Sequence, residues 1–268
     1  MNELLVAVFD SEDAASSGMQ TLEHLHEEGG ISVFASALIT RGRDGNIAVK
    51  QASGQAPLTA ALGLLTGAVV GAAGGPAGSA VGAMLGGHVG LLADWARSGV
   101  DLKFLDDVGK KLTIGKAAVV AEIEESWTSL LEPRLRNQGG VIYRRFRTDV
   151  TDDQLLQESK ALEEQIERLK KDVASANAAN KEALEKSLRD AKERLKEVQD
   201  RAKTEIERRK TETELKVKTL RRQVETAAQD AKTRIKKRIE DTESDFEMRQ
   251  KRLAQARNRA IELTFRPD

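Results

Sequence analysis

The chain has 268 residues with 43 basic and 43 acidic side chains, so its overall electrostatics impose neither a polyanionic nor a polycationic partner. It contains no cysteine, which excludes a disulfide framework and any thiolate metal site. The 21 glycines and both tryptophans lie before residue 150, and the residues after it are mostly Lys, Arg, Glu, Asp, Gln, Ala and Leu: a globular head over 1–149 and a rod behind it.

The opening MNELLVAVFDSEDA has no basic stretch and too short an apolar run for a signal peptide, so the expected location is cytoplasmic, including the inner face of the cell membrane. Within it, Glu3 to Phe9 reads as a strand. Asp10, Ser11, Glu12 and Asp13 supply helix caps for Ala14 to Glu28, where Ala14, Met19, Leu22 and Leu25 recur at near-helical spacing. Gly29 and Gly30 stop that helix. Ile31 to Ile39 is apolar and β-prone, Asp44-Gly45 forms a turn, and Asn46 to Gln51 alternates as a hairpin partner.

Residues 59–93 then contain no Asp, Glu, Lys or Arg. Gly63, Gly67, Gly71 and Gly75 recur every four residues, as do Gly78, Gly82, Gly86 and Gly90, with Gly74-Gly75-Pro76 between the runs. Four-residue spacing places each run on one helix face, where missing Cβ atoms let a second backbone approach closely. Each glycine costs roughly 1 kcal/mol of helix propensity against alanine, so the spacing needs a packing reason. The pattern predicts a glycine-zipper helical hairpin over 58–96. One arm, Leu58 to Gly74, would span about 25 Å at 1.5 Å per residue, a little short of a bilayer core of roughly 30 Å. Lipid or membrane is therefore a candidate partner beside other protein.

Beyond the hairpin, Leu102 to Leu112 reads as a helix, Ala117 to Ile123 as a buried strand, Trp127 to Arg136 as a helix and Val141 to Phe146 as the last strand. The order is that of an α+β ferredoxin-like sandwich with one extra α-β unit and the hairpin inserted. On the stretches VFDSEDAASSGMQTLEHLHEEGGISVFASALITRGRDGNIAVKQA, GVDLKFLDDVGKKL, GKAAVVAEI and GGVIYRRF, with the glycine hairpin between them, residues 3–147 resemble the bacterial family catalogued as domain of unknown function 1269. Members of that family are often described as predicted membrane proteins. The resemblance implies the fold and no catalytic residues.

From Val150 to Leu263 there is neither proline nor glycine, which predicts one very long helix over 150–263 followed by a tail, 264–268. Leu162, Val173, Leu184, Leu195, Ile206, Val217, Ala228 and Ile239 recur every eleven residues. An eleven-residue repeat is about 3.67 residues per turn and favours nearly straight or slightly right-handed packing. The row predicts a hendecad coiled coil as the oligomerisation seam, and the SANAAN stretch at Ser175 to Asn180 is the place where the rod would bend or fold back.

No catalytic, cofactor or metal arrangement emerges. His24 and His26 stand two apart on a helix, face different directions and read as helix-surface residues. His88 reads as a polar group at a helix contact inside the zipper. Glu122, Glu124 and Glu125 read as solvated charges at a strand end. The glycines form neither a G-x-G-x-x-G turn nor a Walker loop. Acidic residues alternate with the basic ones along the rod, so nucleic acid is not expected as a partner. The expectation is a non-enzymatic, self-assembling structural protein: a homo-oligomeric cage, ring or tube made through its hendecad helices, with the hairpins forming a lipid-binding layer. The alternative is a membrane-inserting hairpin protein, channel- or toxin-like, with a coiled-coil oligomerisation tail.

Overall fold

A computed structural model describes residues 2–54, 66, 67, 69, 102–125, 130–146 and 150–264. Its elements are β1 (Asn2–Phe9), α1 (Glu12–Glu27), β2 (Ile31–Arg41), β3 (Ile47–Ser53), α2 (Leu102–Lys111), β4 (Ala117–Glu125), α3 (Leu131–Asn137), β5 (Val141–Phe146), α4 (Val150–Ser175), α5 (Ala178–Thr226) and α6 (Gln229–Thr264). The chain is α+β. Its packing divides into two compact units, one of 1–148 with 214–242, the other of 149–213 with 243–268.

The first unit is built on a five-stranded antiparallel sheet in the order β3-β2-β4-β1-β5. Local chemistry sets its elements where the sequence puts them. Ser11 caps α1 by accepting the Ala14 amide at 3.1 Å, and Gly29 leaves the helix at a positive φ of 73°. Asp44 accepts the Asn46 amide at 3.0 Å inside the tight loop between β2 and β3. Central β4 is buried along its whole length, as a strand with both faces covered must be. In β2 the pairing to β4 shifts between Val33 and Ala35, a bulge that reverses which residues face which side. Ile31 therefore packs with α1, whereas Ala35, Ala37 and Ile39 pack on the opposite face.

On one face of the sheet Leu5, Ala7, Phe9, Val119 and Ile123 meet Met19, Leu22 and Leu25 of α1 and Leu131 and Leu135 of α3. Gly18 sits where a Cβ would lie 2.5 Å from the Phe9 ring, so a glycine inside a helix has here a packing reason. On the other face Leu4, Val6, Val8, Ile39 and Val120 meet Phe104, Leu105 and Val108 of α2, together with Leu220 of α5, Ala231 and Ile235 of α6 and Ala227 between those two helices. Val69 joins that same cluster.

The expected single helix over 150–263 is three helices. The first break, at Ala176 and Asn177, falls within SANAAN, where the Asn177 side chain accepts the Asn180 amide at 3.2 Å and caps α5. The second, at Ala227 and Ala228, follows from tertiary packing: turning there lays both Leu220 and Ile235 on the sheet. Residues 214–242 thus belong with the head and not with a separate rod. In the second unit Leu155, Leu162 and Ile166 of α4 pack with Ala191, Leu195, Val198 and Ala202 of α5 and Leu253 of α6. Among the described residues no helix is long and apolar enough to cross a membrane.

Candidate functional site

The apolar face of the sheet that receives α5 and α6 also carries charge. Alternation along β4 turns Glu122 and Glu124 to the same side as Val120, and pairing with β2 sets Ser32 opposite Glu124. Glu122 is fully buried and Glu124 and Glu125 nearly so. Their reading as solvated strand-end charges is therefore corrected: the end of β4 is covered by α5 and α6 on one side and by the N-terminus of α3 on the other.

Each buried charge meets a specific partner. Lys216 of α5 donates to Glu122 at 2.7 Å, both side chains buried, and its ammonium lies 5.2 Å from the centre of the Phe34 ring. Two turns further along α5, Gln223 accepts from Ser32 Oγ at 2.7 Å and donates to the carbonyls of His26 at 2.5 Å and Ile31 at 2.6 Å. Arg238 of α6 donates to Ser32 Oγ at 2.9 Å and to the Gly30 carbonyl at 2.8 Å. Burial pulls the Arg238 guanidinium below its ordinary pKa, against the opposing pull of Glu124. These residues form one polar seam, in which α5 and α6 grip the turn between α1 and β2.

At the same end of β4 but on the opposite face of the sheet, Arg144 of β5 bridges Glu3 at 3.0 Å and Glu125 at 2.6 Å. Glu125 also accepts the amides of Leu130 and Leu131 at 3.2 Å, capping α3 where its own first residues cannot. Burial raises the Glu3 carboxyl above its ordinary range despite Arg144. His26, expected on the helix surface, is half-buried, and its Nδ1 accepts the Val33 amide at 3.1 Å. His24 does lie exposed, 3.0 Å from Glu28, beside a shallow polar groove of about 480 Å³ between α1 and α3.

The seam's chemistry is recognition. A carboxylate neutralised by a buried ammonium and an amide making three hydrogen bonds fix one register of helix on sheet, because a shifted register would leave each of them buried and unpaired. The second unit carries its own buried charges: Asp152 lies 3.4 Å from Arg209 and 3.9 Å from Arg249, and Arg209 contacts Glu205 at 2.8 Å.

Of the expected zipper glycines, Gly67 is buried in a helical stretch beside Thr66, while Gly63, Gly71, Gly75, Gly78, Gly82, Gly86 and Gly90 lie outside the described residues, as does His88. The hendecad row is distributed. Leu162 and Leu195 meet in the second unit's cluster with Ile206 at its margin; Val173 and Leu184 are half-buried; Val217 is buried in the first unit and Ile239 packs against its core; Ala228 is exposed at the break. Sequence reasoning passes over Lys216, Gln223 and Arg238, which look like any other polar residues of a charged helix. The signal that could find them is Glu122, a charge inside the apolar run AAVVAEI, since a buried strand cannot hold a carboxylate without a partner.

The model of the family described as Protein of unknown function (DUF1269) matches residues 60–167, the same family that the chain's own motifs resemble. The match starts inside the glycine-patterned segment and runs through α2, β4, α3 and β5 into α4. No curated protein matches the chain, and no solved structure does.

Proposed function

We propose that this chain is a non-enzymatic structural protein that self-associates and engages lipid through its glycine-patterned segment, from the cytoplasm or the inner face of the cell membrane. The observation that carries the reading is where the apolar side chains go. Among the described residues the large exposed hydrophobics are Val49, Ile114, Leu130 and Met248, scattered over four separate elements and loops, and the apolar rows of α4, α5 and α6 are largely spent on clusters within the chain. Scattered apolar residues make no interface. Apart from Val69, which packs in the sheet cluster, the charge-free run 59–93, with its two glycine rows, is then the store of apolar sequence available for a bilayer or for other copies. Family matching that begins at residue 60 supports treating this run as part of the module rather than as an ornament.

The head reading as ferredoxin-like has support in the strand order. Leaving out edge strand β3, the order β2-β4-β1-β5 with α1 and α3 on one face supports a split β-α-β sandwich. The hendecad row retains a share in assembly through Val173 and Leu184, which are only half covered within the chain.

Two pairs of substitutions test the reading. Gly67→Leu with Gly82→Leu should abolish flotation with liposomes and lower the mass found by light scattering, since close helix approach tolerates no large side chain at those faces. Val173→Asp with Leu184→Asp should lower the mass and leave flotation intact. Wild-type protein that neither floats nor exceeds the mass of one chain would overturn the proposal. Protein that floats and resists extraction by alkaline carbonate would favour the membrane-inserting, channel- or toxin-like alternative.

A further inference from the structure

His26 occupies the last turn of α1 and is tied to two other elements at once. Its ring Nδ1 accepts the Val33 amide of β2 at 3.1 Å, and its carbonyl accepts Gln223 of α5 at 2.5 Å. Accepting at Nδ1 requires a neutral ring with its proton on Nε2. Four residues later along the chain the same turn presents the Gly30 carbonyl and then Ser32 Oγ to Arg238. These five hydrogen bonds from Gln223 and Arg238 all land between residues 26 and 32.

We propose that His26 is an acid-operated release for residues 214–242: with the ring neutral, it holds the turn in the shape that Gln223 and Arg238 grip, and with the ring protonated, that grip is lost. A proton on Nδ1 turns an acceptor into a second donor facing the Val33 N–H, so the bond becomes a repulsion. It also places a cation near Arg238. The charged groups that act on the ring are Glu27, on its own helix, which favours the proton, and Arg238, on α6, which opposes it; Arg238 is itself drawn toward Glu124 and Glu125 of β4. Burial prevails and holds the ring below its ordinary pKa of 6.5.

Proton counting gives the sign. The released state binds the proton more readily than the closed one, so closure is fully present above the ordinary histidine value and is lost as pH falls from there through the depressed value. Release would uncover the face of the sheet that carries Val6 and Val120, together with Leu220, Ala231 and Ile235 on the helices.

Hydrogen exchange of the full-length chain, corrected for the intrinsic effect of pH, tests this at pH 7.5 and 5.0. Peptides within 214–242 should lose protection by on the order of tenfold per pH unit across the window for a single proton, while β4 peptides lose less. His26→Gln supplies a side-chain oxygen that can accept the Val33 amide without titrating, and should remove the pH response while keeping protection at pH 7.5. His24→Gln, at an exposed position, should leave the response as in wild type. A flat wild-type profile, or an undiminished response in His26→Gln, would overturn the proposal. Should the His26→Gln chain be open at both pH values, the ring resonances of wild-type His26 decide instead: the ring must titrate over the same range in which 214–242 opens, and a ring still neutral after opening rules it out.

Discussion

In the sheet unit, an apolar residue can face either side of a strand and find a covering layer, α1 and α3 on one side and α2, α5 and α6 on the other. The helical unit has no sheet to organise it; Leu155, Leu162, Ile166, Leu195 and Val198 make a narrow seam, and the ends of that seam are closed by ions such as Asp152 with Arg209 and Arg249. Both units bury charge, yet in different company. Lys216 and Glu122 lie inside an apolar layer, whereas the charges of the helical unit form networks that reach solvent through Arg208 and Arg249. Burial depth, and not the number of ion pairs, should therefore decide what each pair contributes.

The most damaging single change expected is Lys216→Ala. It takes the buried ammonium away from the fully buried Glu122 carboxylate, at a cost of about 3–5 kcal/mol, and should lower the urea midpoint of the sheet unit. The companion Lys216→Met with Glu122→Leu replaces both partners by apolar groups of similar size, and should return stability to within roughly 1–2 kcal/mol of wild type or above it. If the single and the double substitution cost the same, the pair is not electrostatically coupled and the seam is held by shape alone.

Next in size is Leu195→Ala in the helical unit. Leu195 is fully buried among α4 and α5 residues, and truncation should cost about 2–5 kcal/mol, toward the lower end because a narrow seam can collapse on the gap. Exchange or proteolysis confined to 149–213 and 243–264 should report the loss while β4 keeps its protection. Equal loss in both units would mean that they unfold as one, and that their separate packing has no separate stability.

How much of this is legible in the sequence depends on the range of the interaction involved. For the elements described between residues 2 and 146, strand and helix limits follow from local signals, such as Ser11 as a cap and the glycines after α1, and the sequence reading meets them within a few residues. The break at Ala176 and Asn177 is likewise local, because asparagine competes with the helix for its own backbone. The break at Ala227 and Ala228 carries no such mark: AAQD is good helix sequence, and the chain turns there because the sheet is waiting on both sides of it. The seam is hidden for the same reason. Gln223 finds Ser32 across 191 residues and Lys216 finds Glu122 across 94, and nothing in the composition of a charged helix distinguishes them from its solvated neighbours. An eleven-residue repeat reports a face that is covered; it does not say by what, and here Leu162 and Leu195 of one row cover each other within the second unit while Ile239 packs on the first.

The smallest expected effect gives the cleanest control. Arg201 donates to Glu158 at 2.8 Å, almost the same separation as the 2.7 Å between Lys216 and Glu122, but the two side chains remain 48% and 46% exposed. Water screens the charges and solvates either one when the other is removed, and ordering two long side chains costs entropy. Arg201→Ala should therefore cost no more than about 0.2–1 kcal/mol, and less as salt is raised, because screening acts on exposed pairs first. The Lys216→Ala loss should hardly respond to salt. Midpoints measured for both variants at low and high ionic strength place the two pairs side by side at equal length and unequal depth. A salt-sensitive Lys216→Ala loss, or an Arg201→Ala loss of the same size, would show that distance and not burial sets the energy.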